Sequence, residues 1–96
     1  VKDEGLRKWG YQGIKSYKYY PNPTLDVLNL TVELIEDQDI FINICNPVTG
    51  AKKEVAVGKD SSKYDFRIDL SNEVSGMYFI LINTPKGHKD FKIVKF

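Results

Sequence analysis

Val27-Leu28-Asn29-Leu30-Thr31-Val32-Glu33-Leu34 sets the fold class. Leu28, Leu30, Val32 and Leu34 fall on one face of an extended chain, with Asn29, Thr31 and Glu33 on the other. Successive side chains of a strand point to opposite faces, so this alternation puts one face on a core and one in water. Tyr64, Phe66, Ile68 and Leu70 repeat the pattern against Asp65, Arg67 and Asp69.

The same period of two governs the chain from Ser16 onward, and turn signals recur about every ten residues, the spacing of an all-β sandwich. Seven short strands are expected, over residues 16–20, 27–34, 40–45, 51–57, 64–70, 77–82 and 90–95. Asn46-Pro47-Val48-Thr49-Gly50 and Thr84-Pro85-Lys86-Gly87 place Pro early and Gly late, as tight turns between antiparallel strands require. Gly58-Lys59-Asp60-Ser61-Ser62 reads as a polar loop and Glu36-Asp37-Gln38-Asp39 as a solvated hairpin turn. No segment carries helical spacing and no internal repeat is present. The expected architecture is a seven-stranded, immunoglobulin-like antiparallel β-sandwich over residues 16–96, without the Cys–Trp–Cys pattern of antibody domains. Residues 1–15, with three glycines and no steady period, read as a linker or tail from a preceding domain, with Trp9 and Tyr11 as its anchors.

Bulk properties exclude several functions. Ninety-six residues make one domain with one modest core. Fourteen basic and 13 acidic side chains are interspersed, for a net charge of +1, so no basic stripe awaits a nucleic acid. The longest apolar run, residues 77–82, is six residues long, far short of a membrane span. The chain opens on Val1 with no secretory leader near it, and reads as a piece of a longer precursor.

No catalytic or metal constellation is visible. The acidic cluster at 36–39 has too few oxygens for Ca²⁺. His88 is the single histidine and sits beside Gly87 in an expected turn, a poor metal ligand. Cys45 excludes an intrachain disulfide and, within the alternating Ile40-Phe41-Ile42-Asn43-Ile44-Cys45, reads as a buried small apolar residue. A Cys45–His88 pair needs hydrogen-bond reach that a buried thiol and a loop histidine do not offer. No cofactor site is expected.

Three stretches remain. Pro21-Asn22-Pro23 is a stiff, extended corner between strands, since Pro21 fixes its own φ and Pro23 keeps Asn22 out of the helical region. Ser75-Gly76-Met77-Tyr78-Phe79-Ile80 enters a strand through a glycine free to adopt positive φ, with Tyr78, Ile80 and Ile82 facing one way and Met77, Phe79 and Leu81 the other. Asp90-Phe91-Lys92-Ile93-Val94-Lys95-Phe96 is strand-forming and apolar where chain ends are usually polar and frayed, so it reads as a docked final strand whose lysines blunt an edge.

In this order, Tyr20-Pro21-Asn22-Pro23-Thr24, Asp69-Leu70-Ser71 followed by residues 75–80, and Lys92-Ile93-Val94-Lys95-Phe96 resemble the type A C-terminal sorting domain of the bacterial type IX (Por) secretion system. The resemblance runs from about residue 17 to residue 96. It implies a non-catalytic secretion signal of a Gram-negative bacterium that directs a larger cargo protein across the outer membrane. Its implied partners are the outer-membrane type IX translocon and a sortase-like peptidase, which commonly cuts before the domain ahead of surface attachment. Its implied route is the periplasm, then the cell surface or the medium. The residues expected to form the signal are Pro21, Asn22, Pro23, Gly76, Tyr78, Phe79, Lys92, Ile93, Val94, Lys95 and Phe96.

A rival reading is a glycan- or protein-binding sandwich module of a surface protein. Exposed, the cluster Trp9, Tyr11, Tyr17, Tyr19 and Tyr20 would stack on sugars; buried, it would seal one end of the sandwich, and the shared parity of Tyr17 and Tyr19 favours packing. Self-association through an open edge strand is the third expectation.

Overall fold

The computed structural model describes residues 13–96, which contain strands, turns and loops and no helix. Five strands follow one another: β1 (Ile14–Tyr20), β2 (Val27–Cys45), β3 (Lys52–Asp69), β4 (Gly76–Thr84) and β5 (Gly87–Lys95). All pair antiparallel within one curled sheet, in the order β1-β2-β4-β5, with β3 along the other side of β2. The all-β antiparallel expectation holds, but seven strands become five. Residues 27–34 and 40–45 are the two halves of β2, and most of residues 51–57 and 64–70 belong to the two halves of β3.

The reason lies in the stretches that read as turns. Leu28, Leu30, Val32 and Leu34 are buried, and so are Gln38, Ile40, Ile42 and Ile44. One parity therefore faces inward along all 19 residues of β2, interrupted only at exposed Glu36. The acidic segment is a bend in a continuous strand, not a hairpin. Between the pairs Glu33–Lys63 and Gln38–Ser61, β2 advances five residues while β3 advances two, and this surplus folds the β2–β3 hairpin over on itself.

Polar groups hold the bend. Tyr64 donates its hydroxyl to the Gln38 carbonyl at 2.6 Å and accepts the Ser61 N–H at 2.9 Å. Asp39 accepts the Asp60 N–H at 2.9 Å, and Asp60 itself turns through φ +51°, a left-handed conformation that aspartate tolerates. The Tyr64 ring lies directly over Gly58, where a Cβ would overlap two ring carbons. The polar loop expected at 58–62 is thus strand, bent around one aromatic ring.

At the far end of the hairpin the expected tight turn is present: the Gly50 N–H donates to the Asn46 carbonyl at 2.7 Å, and Asn46 Oδ1 accepts the Val48 N–H at 2.9 Å. Folding brings this tip beside the base, where Lys53 and Glu73 pair at 2.5 Å. β1 flanks the first half of β2, and β4 with β5 flanks the second. The two flanks close on a single core, with Leu28, Val32, Ile40, Ile42, Ile80 and Ile93 among its fully buried members. Across the seam between β1 and β5, Tyr17 and Tyr19 stack on Phe91 with ring centroids 5.4 and 4.0 Å apart. β1 begins at Ile14, two residues before the expected strand, and the Trp9 and Tyr11 anchors lie outside the described residues.

Candidate functional site

The three stretches singled out in the sequence meet around β5. Along one side β5 pairs with β4, placing Ile93 opposite Tyr78, Lys92 opposite Phe79 and Lys95 opposite Gly76. Along the other side, at its C-terminal end, lies the proline corner. Asn22 Oδ1 accepts the Val94 N–H at 3.0 Å, and Asn22 Nδ2 donates to the Lys92 carbonyl at 3.5 Å. Thr24 then forms a parallel bridge with Lys95: its N–H donates to the Val94 carbonyl, and its carbonyl accepts the Phe96 N–H, both at 2.9 Å. The Tyr20–Pro21 and Asn22–Pro23 peptide bonds are both cis.

This geometry revises the picture of an open final edge. Residues 22–24 cover the end of β5, and Thr24 is itself buried with its hydroxyl on the Val27 carbonyl at 2.7 Å. Phe91, Ile93 and Lys95 face inward while Lys92 and Phe96 face out. Lys95, expected to blunt an edge, is instead buried, its ammonium 3.3 Å from the Phe96 carbonyl. Sequence reasoning placed Thr24 in the corner stretch but gave it no role, because the partners across this contact are 70 to 72 residues apart.

The middle stretch builds the adjoining wall. Gly76 has φ +151°, which side-chain-bearing residues rarely adopt. Tyr78, Ile80 and Ile82 face the core, with the Tyr78 hydroxyl donating to the Val74 carbonyl at 2.6 Å. Met77, Phe79 and Leu81 face outward. Leu70 is fully buried and donates its N–H to the Asp26 carbonyl at 2.6 Å. Beside it, Asp69 accepts the Ser71 N–H at 2.9 Å. That backbone bond, followed by the Ser71 hydroxyl, holds the Asp69 carboxyl below its ordinary pKa. A depressed carboxylate stabilises the fold above its unfolded pKa and loses that contribution as pH falls through the folded value. An NMR titration of the Asp69 carboxyl carbon is therefore expected to show a midpoint below that of an unstructured aspartate, and a midpoint at or above it would contradict the Ser71 bond.

The large exposed apolar side chains concentrate at this end. Tyr20, Leu25, Val48, Val74, Met77 and Phe96 all protrude there, Val48 with 91% and Phe96 with 64% of its surface in solvent. Clustered apolar side chains in solvent are the kind of surface that marks an interaction site. Among the described residues no three His, Cys, Asp or Glu side chains group to hold a metal ion.

The remaining candidates disperse. Cys45 lies on the half-buried outer parity of β2, not in the core as expected, and opposes Phe79, while exposed His88 sits in β5 opposite Asn83. Those two partners lie four positions apart along β4, roughly 13 Å, so thiol and imidazole do not meet. Two carboxylates of the acidic cluster have partners: Glu36 pairs with Lys86 in the β4–β5 turn, and Asp39 accepts the Asp60 N–H across the bend. A concavity of about 370 Å³ is lined by Ile14, Lys15, Ser16, Tyr17 and Lys89.

Residues 18–95 match the family model described as the secretion system C-terminal sorting domain. No curated protein and no solved structure matches the chain. The matched segment runs from within β1 to the end of β5 and takes in the proline corner, the Gly76 strand entry and the Thr24–Lys95 bridge. With nearly the whole of its 96 residues covered, the chain belongs to the type IX secretion system C-terminal sorting domain family.

Proposed function

We propose that this domain is a non-catalytic address that directs a larger cargo protein across the outer membrane through the type IX machinery. The cargo passes through the periplasm and reaches the cell surface or the medium, commonly after a sortase-like peptidase has cut before the domain. The observation that supports this reading best is the convergence on β5: Asn22 and Thr24 bond to residues 94–96 on one side, and residues 76–79 pair with residues 92–95 on the other. Pro21, Asn22, Pro23, Gly76, Tyr78, Phe79 and residues 92–96 make up the signal on this reading. Asn22, Pro23, Gly76 and Tyr78 build the surface, and Phe79, Lys92 and Phe96 face the machinery.

The test is export of a reporter carrying an N-terminal signal peptide and this domain, in a bacterium with a working type IX system. Deleting residues 94–96 should leave the reporter in the periplasm. Unchanged display at the surface would sink the reading. The rival module has less support from the aromatics, since Tyr17 and Tyr19 spend their faces on Phe91. A glycan array on the isolated domain, with binding lost in Tyr20→Ala, would favour that rival.

A further inference from the structure

Among the described residues β3 is hydrogen-bonded on one side only, to β2, and no other strand packs against it. Beyond the bend, residues 63–69 run regularly against β2, leaving an unpaired edge. Natural sheets protect such edges with charged side chains, prolines or bulges. Here the outward side chains are Lys63, Asp65, Arg67 and Asp69, all exposed and alternating in sign. On the inner parity stand Tyr64 and Phe66, stacked at 5.5 Å and only partly buried, then buried Ile68.

We propose that this edge pairs with the same edge of a second copy of the chain, antiparallel, about a two-fold axis through Phe66. That register sets Lys63 opposite Asp69 and Asp65 opposite Arg67, each pair occurring twice, so every facing charge meets its opposite. On the inner face Tyr64 meets Ile68 of the second copy, and the two Phe66 rings meet on the axis. The neighbouring symmetric registers fail. Centred on Asp65, the pairing sets Asp65 against itself and Lys63 against Arg67. Centred on Arg67, it sets Arg67 against itself and Asp65 against Asp69. Directly opposed like charges destabilise antiparallel pairs, and opposite charges and aromatic pairs support them. Of these three registers only the one centred on Phe66 sets all four charges opposite their complements, and a second copy of this chain fits it by its own charge pattern. The inference does not depend on the sorting reading.

A single strand-to-strand contact is small, so the dimer is weak and concentration-dependent. Sedimentation equilibrium from about 10 μM to about 1 mM should show monomer passing to dimer. Arg67→Asp converts both central attractive pairs into repulsive ones and should weaken association by at least about tenfold. Exchanging the two charges, Asp65→Arg with Arg67→Asp, should restore it. A monomer throughout the range, or an exchange variant that folds but stays as weak as Arg67→Asp, overturns the proposal. A measurement on the unaltered protein guards against a variant that fails to fold. Amide exchange within residues 63–69 should slow as concentration rises, and exchange independent of concentration also overturns it.

Discussion

Replacing Ile93 with alanine is expected to lower the unfolding free energy by about 3 kcal/mol, in the range for truncating a buried aliphatic side chain. Ile93 has no exposed surface, lies opposite Tyr78, and sits in β5, whose inner face closes one flank of the core. Removing three carbons there loses their transfer free energy and leaves a cavity that the surrounding sheet fills only partly. Phe96→Ala should shift stability by no more than about 0.5 kcal/mol, because that ring is mostly in water. Its backbone N–H, which donates to Thr24, is unchanged by the substitution. Guanidinium denaturation of the two variants checks the contrast. The same pair separates folding from recognition in export. Ile93→Ala impairs display by destabilising the domain, whereas Phe96→Ala should impair it while leaving the denaturation midpoint in place. Full display of Phe96→Ala would remove that side chain from the recognised surface.

Gly58→Ala should cost a similar amount, about 3 kcal/mol, at a position where a sequence-level reading sees only a loop glycine. The added methyl enters space occupied by the Tyr64 ring and comes within 2.9 Å of Ile40 Cγ2. The ring cannot move aside freely, because its hydroxyl bridges the Gln38 carbonyl and the Ser61 N–H across the bend. Displacing it adds two partly buried polar groups without partners to the overpacking, each worth about 1 kcal/mol or more. A double-mutant cycle tests the cause. In a Tyr64→Leu background the cost of Gly58→Ala should fall to about 1 kcal/mol or less, what remains being the close approach to Ile40 Cγ2. An undiminished cost would place the strain in the backbone instead.

These two positions mark where the fold was and was not legible. The alternation at Leu28, Leu30, Val32 and Leu34, and again at Ile40, Ile42 and Ile44, gave the strands, their inward faces and the core directly. That both runs share one parity was also written in the chain. Glu36, Asp37 and Asp39 hid it, because carboxylates between two apolar runs look like a solvated turn. A bend inside a continuous strand carries no separate sequence signal, since its geometry comes from a ring 26 residues from Gln38. Tyr64 looked like one more core residue, and its hydroxyl contacts could not be inferred from spacing. The site divides in the same way. The corner at Pro21-Asn22-Pro23, the glycine entry at Gly76 and the strand at the chain end were each legible locally. Their meeting was not, because Asn22 and Thr24 reach partners across most of the chain.

The Thr24–Lys95 bridge has a consequence for timing. Residues near the beginning of the domain and residues near its end contribute alternate hydrogen bonds to the same short ladder. Neither half exists as a surface until the chain between them has been completed, folded at the bend and closed around its core. Contacts so distant in sequence form late and slowly. A truncated or stalled chain lacks the strand, and a misfolded one leaves the proline corner facing water. On the proposed sorting role, the composite end would serve as a certificate of completion, displayed by molecules that have finished folding.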